Sequence, residues 1–252
     1  VESNPYFLKS SFPDKIRHCI RDSAEITGTA EYLGPEDETK FIEYTLTPIP
    51  LDEHEFKVEV LFTVRDVTLE VDEKNRLKKE ANYDDLTGLL KHGKFNKMLE
   101  VALEDVRSSG GTLALIHIDI DNFRDFNSDH GHPVASEMLR IIGKRIEASI
   151  SSRRDFGFRT GGDEFAVILT GFSPDTLQIV VERLLNKLTE LYNLKVGDTI
   201  KILKCTFSVG VAEYSYEKNQ TAIEIYEEAD KATFQAKDAG RDQVVYFEPG
   251  TS

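Results

Sequence analysis

The run Thr112–Ile118 is apolar at almost every position and is followed at once by Asp119-Ile120-Asp121. A segment this short, with no alternation between apolar and polar positions, reads as a strand buried on both faces. Around it the periodicity predicts helices at Phe95–Val106, Val134–Ile150, Pro174–Tyr192 and Ala222–Ala239, with Met138, Leu139, Ile142 and Ile146 sharing one face of the second. Strands are expected at Asp155–Arg159, Glu164–Leu169, Ile200–Val211 and Val244–Phe247, and Gly161-Gly162 predicts an antiparallel hairpin between the first two. Helices alternating with strands of one sheet give an α/β (α+β) sandwich from Asp84 onward.

The first third is different. Residues 1 to about 25 have roughly helical spacing, interrupted by Pro13. Strand-like runs follow at Ala24–Tyr32, Lys40–Pro48 and Glu55–Val67, the last with Phe56, Val58, Val60, Phe62 and Val64 at period two. Residues 69–83 are charged and helix-prone, with Val71, Leu77 and Ala81 extending a thin apolar stripe from Val67. This segment is either a connector that pairs with its copy in a dimer or an exposed linker. The expected organisation is a small sensor or dimerisation domain at 1–68, a connector helix at 69–83 and an α/β domain at 84–252.

The chain carries 31 Lys and Arg against 45 Asp and Glu, a formal net charge of −14. That field repels nucleic acid but leaves room for a small anion at a site reversed by metal ions and a few Lys or Arg residues. Cys19 and Cys205, far apart and without metal-ligand spacing, imply free thiols in a reducing cytoplasm. No stretch is long enough to span a membrane within this chain. The start at Val1 rather than methionine predicts an excised or processed piece with segments upstream.

Two constellations carry chemistry. Asp119 and Asp121 close the buried strand, where a carboxylate packs poorly but presents a hard oxygen at the sheet edge. In Gly161-Gly162-Asp163-Glu164-Phe165, paired glycines permit a tight turn and two acids follow it. Alone, each has a plain explanation, a strand terminator or a polar hairpin. Together, acids from two adjacent strands can converge on divalent cations, and two such ions about 4 Å apart serve an in-line phosphoryl transfer.

The string Arg159-Thr160-Gly161-Gly162-Asp163-Glu164-Phe165-Ala166-Val167-Ile168-Leu169 resembles the signature of the GGDEF family, the diguanylate cyclases. Five further segments resemble the family in order. These are Asp85–Leu89, Asp119–Arg124 with Asn127, Gly131-His132, Ser208–Val211, and Ala229-Asp230 with Ala236-Lys237 and Gly240-Arg241. The resemblance implies a palm-like, ferredoxin-related domain in which two subunits face each other, each holding one triphosphate. It implies two Mg²⁺ per active site, with Mn²⁺ as an alternative, held by Asp119, the Ile120 carbonyl, Asp163 and Glu164. Asp163 or Glu164 would assist deprotonation of a ribose 3′-hydroxyl. Phosphates would meet Asn122, Phe123, Arg124, Lys237 and Arg241, the last two on one helix face at i, i+4. Asn127 would hydrogen-bond the purine. His132 would be structural, and the six histidines form no metal motif. The implied activity is a nucleotidyltransferase that joins two purine triphosphates into a cyclic dinucleotide; a non-catalytic nucleotide sensor is the alternative.

Three departures stand out. Ser136 occupies the position at which the family carries an aspartate that accepts from guanine N1–H and its 2-amino group. A hydroxyl can donate or accept, so the filter against adenine is lost. This resembles the hybrid promiscuous (Hypr) branch, which takes ATP as well as GTP and makes 3′,3′-cyclic GMP-AMP beside cyclic di-GMP and cyclic di-AMP; strict use of GTP is the alternative. The inhibitory product site of the family is Arg-x-x-Asp, and here Ser152 stands in place of the arginine before Asp155, which predicts weak product inhibition. Lys91-His92 also departs from the opening motif. The exit Val64–Thr68 resembles the last strands of a PAS sensor domain, of which residues 1–68 hold only the later half.

Overall fold

The computed structural model describes residues 12–34, 38–50, 58–150, 155–196 and 199–248. The expected helical segment before Phe12, the turn after Pro50 with Phe56, and Ser152 lie outside them. The chain divides into two compact units, residues 1–79 and 80–252.

In the first unit α1 (Phe12–Asp22) precedes an antiparallel sheet of β1 (Ile26–Leu33), β2 (Thr39–Pro50) and β3 (Val58–Asp66), in that order. Its core is small. Cys19, Tyr44 and Leu46 are buried, with Ile16, Ile26, Ala30 and Val60 packed against them. Gly28 faces Tyr44 across the β1–β2 pair, and a Cβ there would lie 2.5 Å from the Tyr44 hydroxyl, so the ring needs a bare backbone beneath it. After β3 the chain enters α2 (Thr68–Asn82) without a loop, because Asp66 Oδ1 accepts from the Thr68 N–H at 2.9 Å and starts the helix. No residue of α2 is buried, and Leu69 is 82% exposed.

The second unit is built on a six-stranded mixed sheet. Its strands are β4 (Leu90–Lys91), β5 (Leu113–Ile120), β6 (Phe156–Arg159), β7 (Glu164–Thr170), β10 (Phe207–Glu213) and β11 (Gln243–Tyr246), in the order β11-β10-β5-β7-β6-β4. A separate hairpin joins β8 (Tyr192–Val196) to β9 (Thr199–Leu203). The four central strands pair antiparallel and the two outer pairs are parallel. Every residue of β5 is buried, as its composition requires. Ala114, Ile116, Ile118 and Ile120 face α5 (His132–Glu147) and α6 (Pro174–Thr189), with Phe165, Val167, Phe207 and Val209 in the same core. Leu113 and Leu115 lie in the other core with α3 (His92–Ser109) and α7 (Ala222–Asp238). This is a palm-like α+β fold.

Two local expectations fail, and one helix goes unforeseen, for physical reasons. The helix expected to reach Tyr192 stops at Thr189, because the Arg145 guanidinium collects the carbonyls of Leu188, Glu190 and Leu191 at 3.3, 2.8 and 2.9 Å and stacks 4.1 Å above the Tyr192 ring. The single strand expected at Ile200–Val211 is two, because Asp121 takes hold of Thr206 through its own N–H and its carboxylate. Helix α4 (Phe123–His130), unexpected from periodicity, has no buried residue and so leaves no apolar stripe to read. Both cysteines are free and buried, and burial pushes the Cys205 thiol up to about 11, so it is protonated near neutrality.

Helix α5 lies against the loop after Asp84 at one tight point: a Cβ on Gly143 would sit 2.4 Å from the Thr87 carbonyl oxygen. Gly143→Ala must push the helix off that backbone. It is expected to lower the stability of the second unit by about 1–3 kcal/mol, read as an earlier transition in urea monitored by circular dichroism.

Candidate active site

The site begins with one face of β5. Leu113, Leu115, His117 and Asp119 alternate along it, apolar at the start and ionisable at the end. Strand pairing sets Glu164 of β7 and Ser208 of β10 opposite Asp119, so all three share a row across the sheet. The next row is Gly210, His117 and Ala166.

Asp119 is 7% exposed, and burial raises its pKa; nearby Asp163 and Asp121 push the same way, while Lys237 opposes them. The Lys237 ammonium, reaching across from α7, lies 2.7 Å from Asp119 Oδ2. Asp119 is therefore a carboxylate in a setting that demands a cationic partner.

The hairpin closes beside it. The Ile120 N–H donates to the Asp163 carbonyl at 3.2 Å, and the Glu164 carbonyl accepts from Thr160 at 3.0 Å. Neither Gly161 nor Gly162 takes a positive φ, so left-handed backbone is not the reason for the pair. A Cβ on Gly161 would meet Glu164 Oε2 at 2.5 Å; the glycine makes room for that side chain. Arg159 Nη2 holds the Gly162 carbonyl at 2.7 Å, and its Nη1 reaches Asp84 at 3.2 Å. Asp84, in turn, accepts from the Thr87 N–H at 2.9 Å and the Thr87 hydroxyl at 2.7 Å. The acid that organises the opening motif is thus Asp84, while Asp85 is exposed.

Asp121 is a buried hub. It accepts from the hydroxyls of Thr206 at 2.7 Å and Ser208 at 2.6 Å, and from the Asp242 N–H at 3.1 Å. It thereby fixes the turn that carries Arg241. The shared helix face expected for Lys237 and Arg241 is incorrect. Helix α7 ends at Asp238, Gly240 takes φ +114°, and Arg241 sits at φ +65° in the turn toward β11. Both cations remain at the same end of the helix, but Arg241 is placed by the turn.

Asn122 has φ +52° and its carbonyl accepts from the Phe126 N–H at 3.0 Å, so Asn122, Phe123 and Arg124 form the N-terminal end of α4, where backbone N–H groups favour anions. Asn127 lies one turn on, with its Oδ1 buried and unpartnered among the described residues. Ser136 is half-buried in α5, across the Gly131 corner from Asn127. His130 ends α4 and His132 begins α5, so they bracket a helix–helix corner. Asp155 Oδ1 accepts from the Thr170 N–H at 3.2 Å, at the far end of β7 from the hairpin.

Among the described residues no three His, Cys, Asp or Glu side chains form a preassembled metal cage. Two carboxylates on paired strands and a strand-end carbonyl are a partial set of hard oxygen donors. Such a set suits Mg²⁺, which keeps waters and completes its shell with substrate phosphates.

Sequence reasoning singled out Asp121 beside Asp119 at the end of the buried strand, but as an oxygen donor rather than as the hub that binds Thr206, Ser208 and Asp242. It gave no role to Asp84 or His117. His117 is 2% exposed, and its Nδ1 lies 3.0 Å from Thr233 Oγ1. Burial depresses its pKa against the pull of Asp230 and Glu164, which keeps the imidazole neutral near pH 7.

Fold and site together define a palm-type α+β domain with an acidic hairpin beside a buried acid and a helix-borne lysine. The sequence profile described as diguanylate cyclase, GGDEF domain, matches residues 81–243, and the chain belongs to the GGDEF-domain family. It is 34% identical over 158 residues to diguanylate cyclase A of Treponema denticola, covering 62% of this chain and 41% of that protein. It is 33% identical over 171 residues to the cyclic di-GMP phosphodiesterase NbdA of Pseudomonas aeruginosa, covering 68% of this chain and 21% of that one. The GGDEF domain of DgcB from Caulobacter crescentus, solved in complex with c-di-GMP, superposes with TM-score 0.61 at 28% identity over 67% of this chain and 94% of that one. The chain spans about a fifth to a half of the length of the curated relatives it matches. Among the described residues no helix is long and apolar enough to cross a membrane.

The Asp84 pKa yields a pH test. Burial raises it, but the Thr87 hydrogen bonds and the Arg159 guanidinium outweigh burial and hold it below the usual aspartate value. A depressed carboxylate stabilises the fold above its unfolded pKa of about 3.9, and that contribution disappears as pH falls through the lower folded value. Asp84→Asn is expected to lower Tm at pH 7, and the difference from wild type should shrink toward zero in melts run below about pH 4.

Proposed function

We propose that this chain is a dinucleotide cyclase. In this reading each of two purine triphosphates offers its ribose 3′-hydroxyl to the α-phosphorus of the other, and each loses pyrophosphate. The observation that carries it is the pairing of Asp119 with Glu164 across β5 and β7, with the Asp163 backbone locked to Ile120 and Lys237 at 2.7 Å. Asp119, the Ile120 carbonyl, Asp163 and Glu164 would hold Mg²⁺. When bound, the metal supplies neutralisation of charge on the attacking and leaving oxygens. The protein's own part is to place the triphosphate. Lys237 and Arg241 offer cations at the α7 end, and the first N–H groups of α4 face the same anion. Asp163 or Glu164 takes the 3′-hydroxyl proton. Two subunits must face each other, because one active site holds one nucleotide; the first unit, read as a partial PAS-like domain, and α2 would set that approach.

Base selectivity is proposed to be relaxed. Asn127 retains a buried amide oxygen with an unmet hydrogen bond, suited to a purine amino group, but Ser136 brings no carboxylate to the base edge. A missing acceptor against guanine's two donors removes about 1–3 kcal/mol of discrimination, roughly one to two decades. The products would then include 3′,3′-cyclic GMP-AMP beside cyclic di-GMP and cyclic di-AMP. Ser152 in place of an arginine supports weak product inhibition on the same reading.

The test is product analysis with ATP, GTP and an equal mixture in Mg²⁺. Mixed cyclic GMP-AMP is expected from the mixture, and cyclic di-GMP alone would leave strict GTP use. No product from any mixture would leave a nucleotide-binding module. Ser136→Asp is expected to raise the preference for GTP over ATP in kcat/KM by about 10- to 100-fold.

A further inference from the structure

Past Ile225 in its first turn, the face of α7 that meets the sheet is made of small residues. Ala229, Ala232, Thr233 and Ala236 are buried, and beneath them a Cβ on Gly210 would lie 2.1 Å from the Ala229 carbonyl and 2.4 Å from the Thr233 nitrogen. Such a surface allows close approach but offers few knobs to stop the helix from rotating or sliding along its axis. Yet Lys237 must arrive at Asp119 to within a hydrogen bond. Something directional must set the register.

The candidate is His117. It lies between Gly210 and Ala166 in its row of the sheet, so its imidazole meets no large neighbour from the flanking strands there. Three α7 residues gather on it: Thr233 Oγ1 at 3.0 Å from Nδ1, Asp230 Oδ1 at 3.9 Å, and the Tyr226 ring edge-on at 5.8 Å between centroids. The Thr233 hydroxyl donates to Ala229 O at 3.0 Å, which leaves its oxygen to accept from Nδ1–H. Helix and strand run the same way here. From Thr233 to Lys237 is about 6 Å of helix rise, and from His117 to Asp119 about 7 Å of strand. Fixing the first pair therefore brings the second pair level.

We propose that His117 is a positioning residue: through Thr233 it sets the axial register of α7 and so places the Lys237 ammonium for the nucleotide triphosphate. This rests on the reading of Lys237 as a triphosphate ligand. His117 does not touch substrate, and its loss should appear in nucleotide binding rather than in the chemical step.

The experiment compares the full chain with His117→Leu, His117→Asn, Thr233→Val and Lys237→Met. It measures KM and kcat in Mg²⁺, the Kd of a non-hydrolysable GTP analogue by calorimetry, and Tm. For His117→Leu and Thr233→Val, KM and Kd are expected to rise about tenfold with kcat changed less than about threefold. The Asn amide nitrogen reproduces Nδ1–H, so His117→Asn should return both constants to within about twofold of wild type. If His117→Leu lowers Tm enough to unfold the chain, Thr233→Val, which keeps the shape and removes only the hydroxyl, decides the matter. Wild-type Kd and KM in a folded Thr233→Val would overturn the positioning role. So would an Asn variant that binds no better than the Leu variant. Should Lys237→Met bind the analogue as wild type does, the assignment of Lys237 itself falls, which separates the two failures.

Discussion

Everything in the second unit answers to one constraint, a carboxylate placed at the end of a strand buried on both faces. Asp119 cannot shed its charge into water at 7% exposure, so the fold must bring a cation to it. Lys237 does so at 2.7 Å, and it can do so only because α7 lies directly on the Gly210 backbone. A larger residue at 210 would lift the helix, lengthen that contact and leave the acid uncompensated. The close packing of α7 and the electrostatics of the site are thus one requirement met by one glycine.

The surrounding polar residues show how that geometry is kept without a rigid loop. Arg159 spans from Asp84 to the Gly162 carbonyl, joining the start of the unit to the hairpin. Asp121 joins the end of β5 to the start of β10 and to the turn bearing Arg241. Each of these side chains is half-buried or buried, and each spends its hydrogen bonds on partners from separate segments. Networks of this kind specify a single arrangement more strongly than apolar contacts of equal area, because a shifted register leaves donors and acceptors unmet.

The sequence made some of this legible and hid the rest, and the division follows the physics. β5, the β6–β7 hairpin and helices α3, α5 and α7 were readable because burial on one or both faces imposes a period on their residues. Asp119, Asp163 and Glu164 were readable because acids at strand ends and turns have no role in packing. Helix α4 has no fully buried residue, and only Phe123 and Phe126 pack partly against the core, too few to set a period. The break between β9 and β10 was hidden because Ile200, Ile202, Phe207 and Val209 look alike as letters, although the first two are exposed and the last two buried. Arg241 was placed on a helix face by its i, i+4 spacing to Lys237, although the helix expected at Ala222–Ala239 already stops short of it and Gly240, at φ +114°, turns the chain away. The pairing of His117 with Thr233 joins residues 116 positions apart, and no local pattern encodes a contact at that distance.

A chain with a net charge of −14 is a poor general attractor of anions, and this bears on how a triphosphate could be held. Attraction at long range is unfavourable and is screened beyond about 8 Å at physiological salt. On the proposed reading, affinity would come from contacts inside that distance: the α4 N-terminus, Lys237, Arg241 and any divalent cations held by the acids. Asp119 holds Lys237 to itself at 2.7 Å. If Asp119, Asp163 and Glu164 held cations instead, the lysine would be free to turn toward phosphate. The register of α7 would matter most at that exchange, when the lysine would leave one oxygen and meet another without the helix moving.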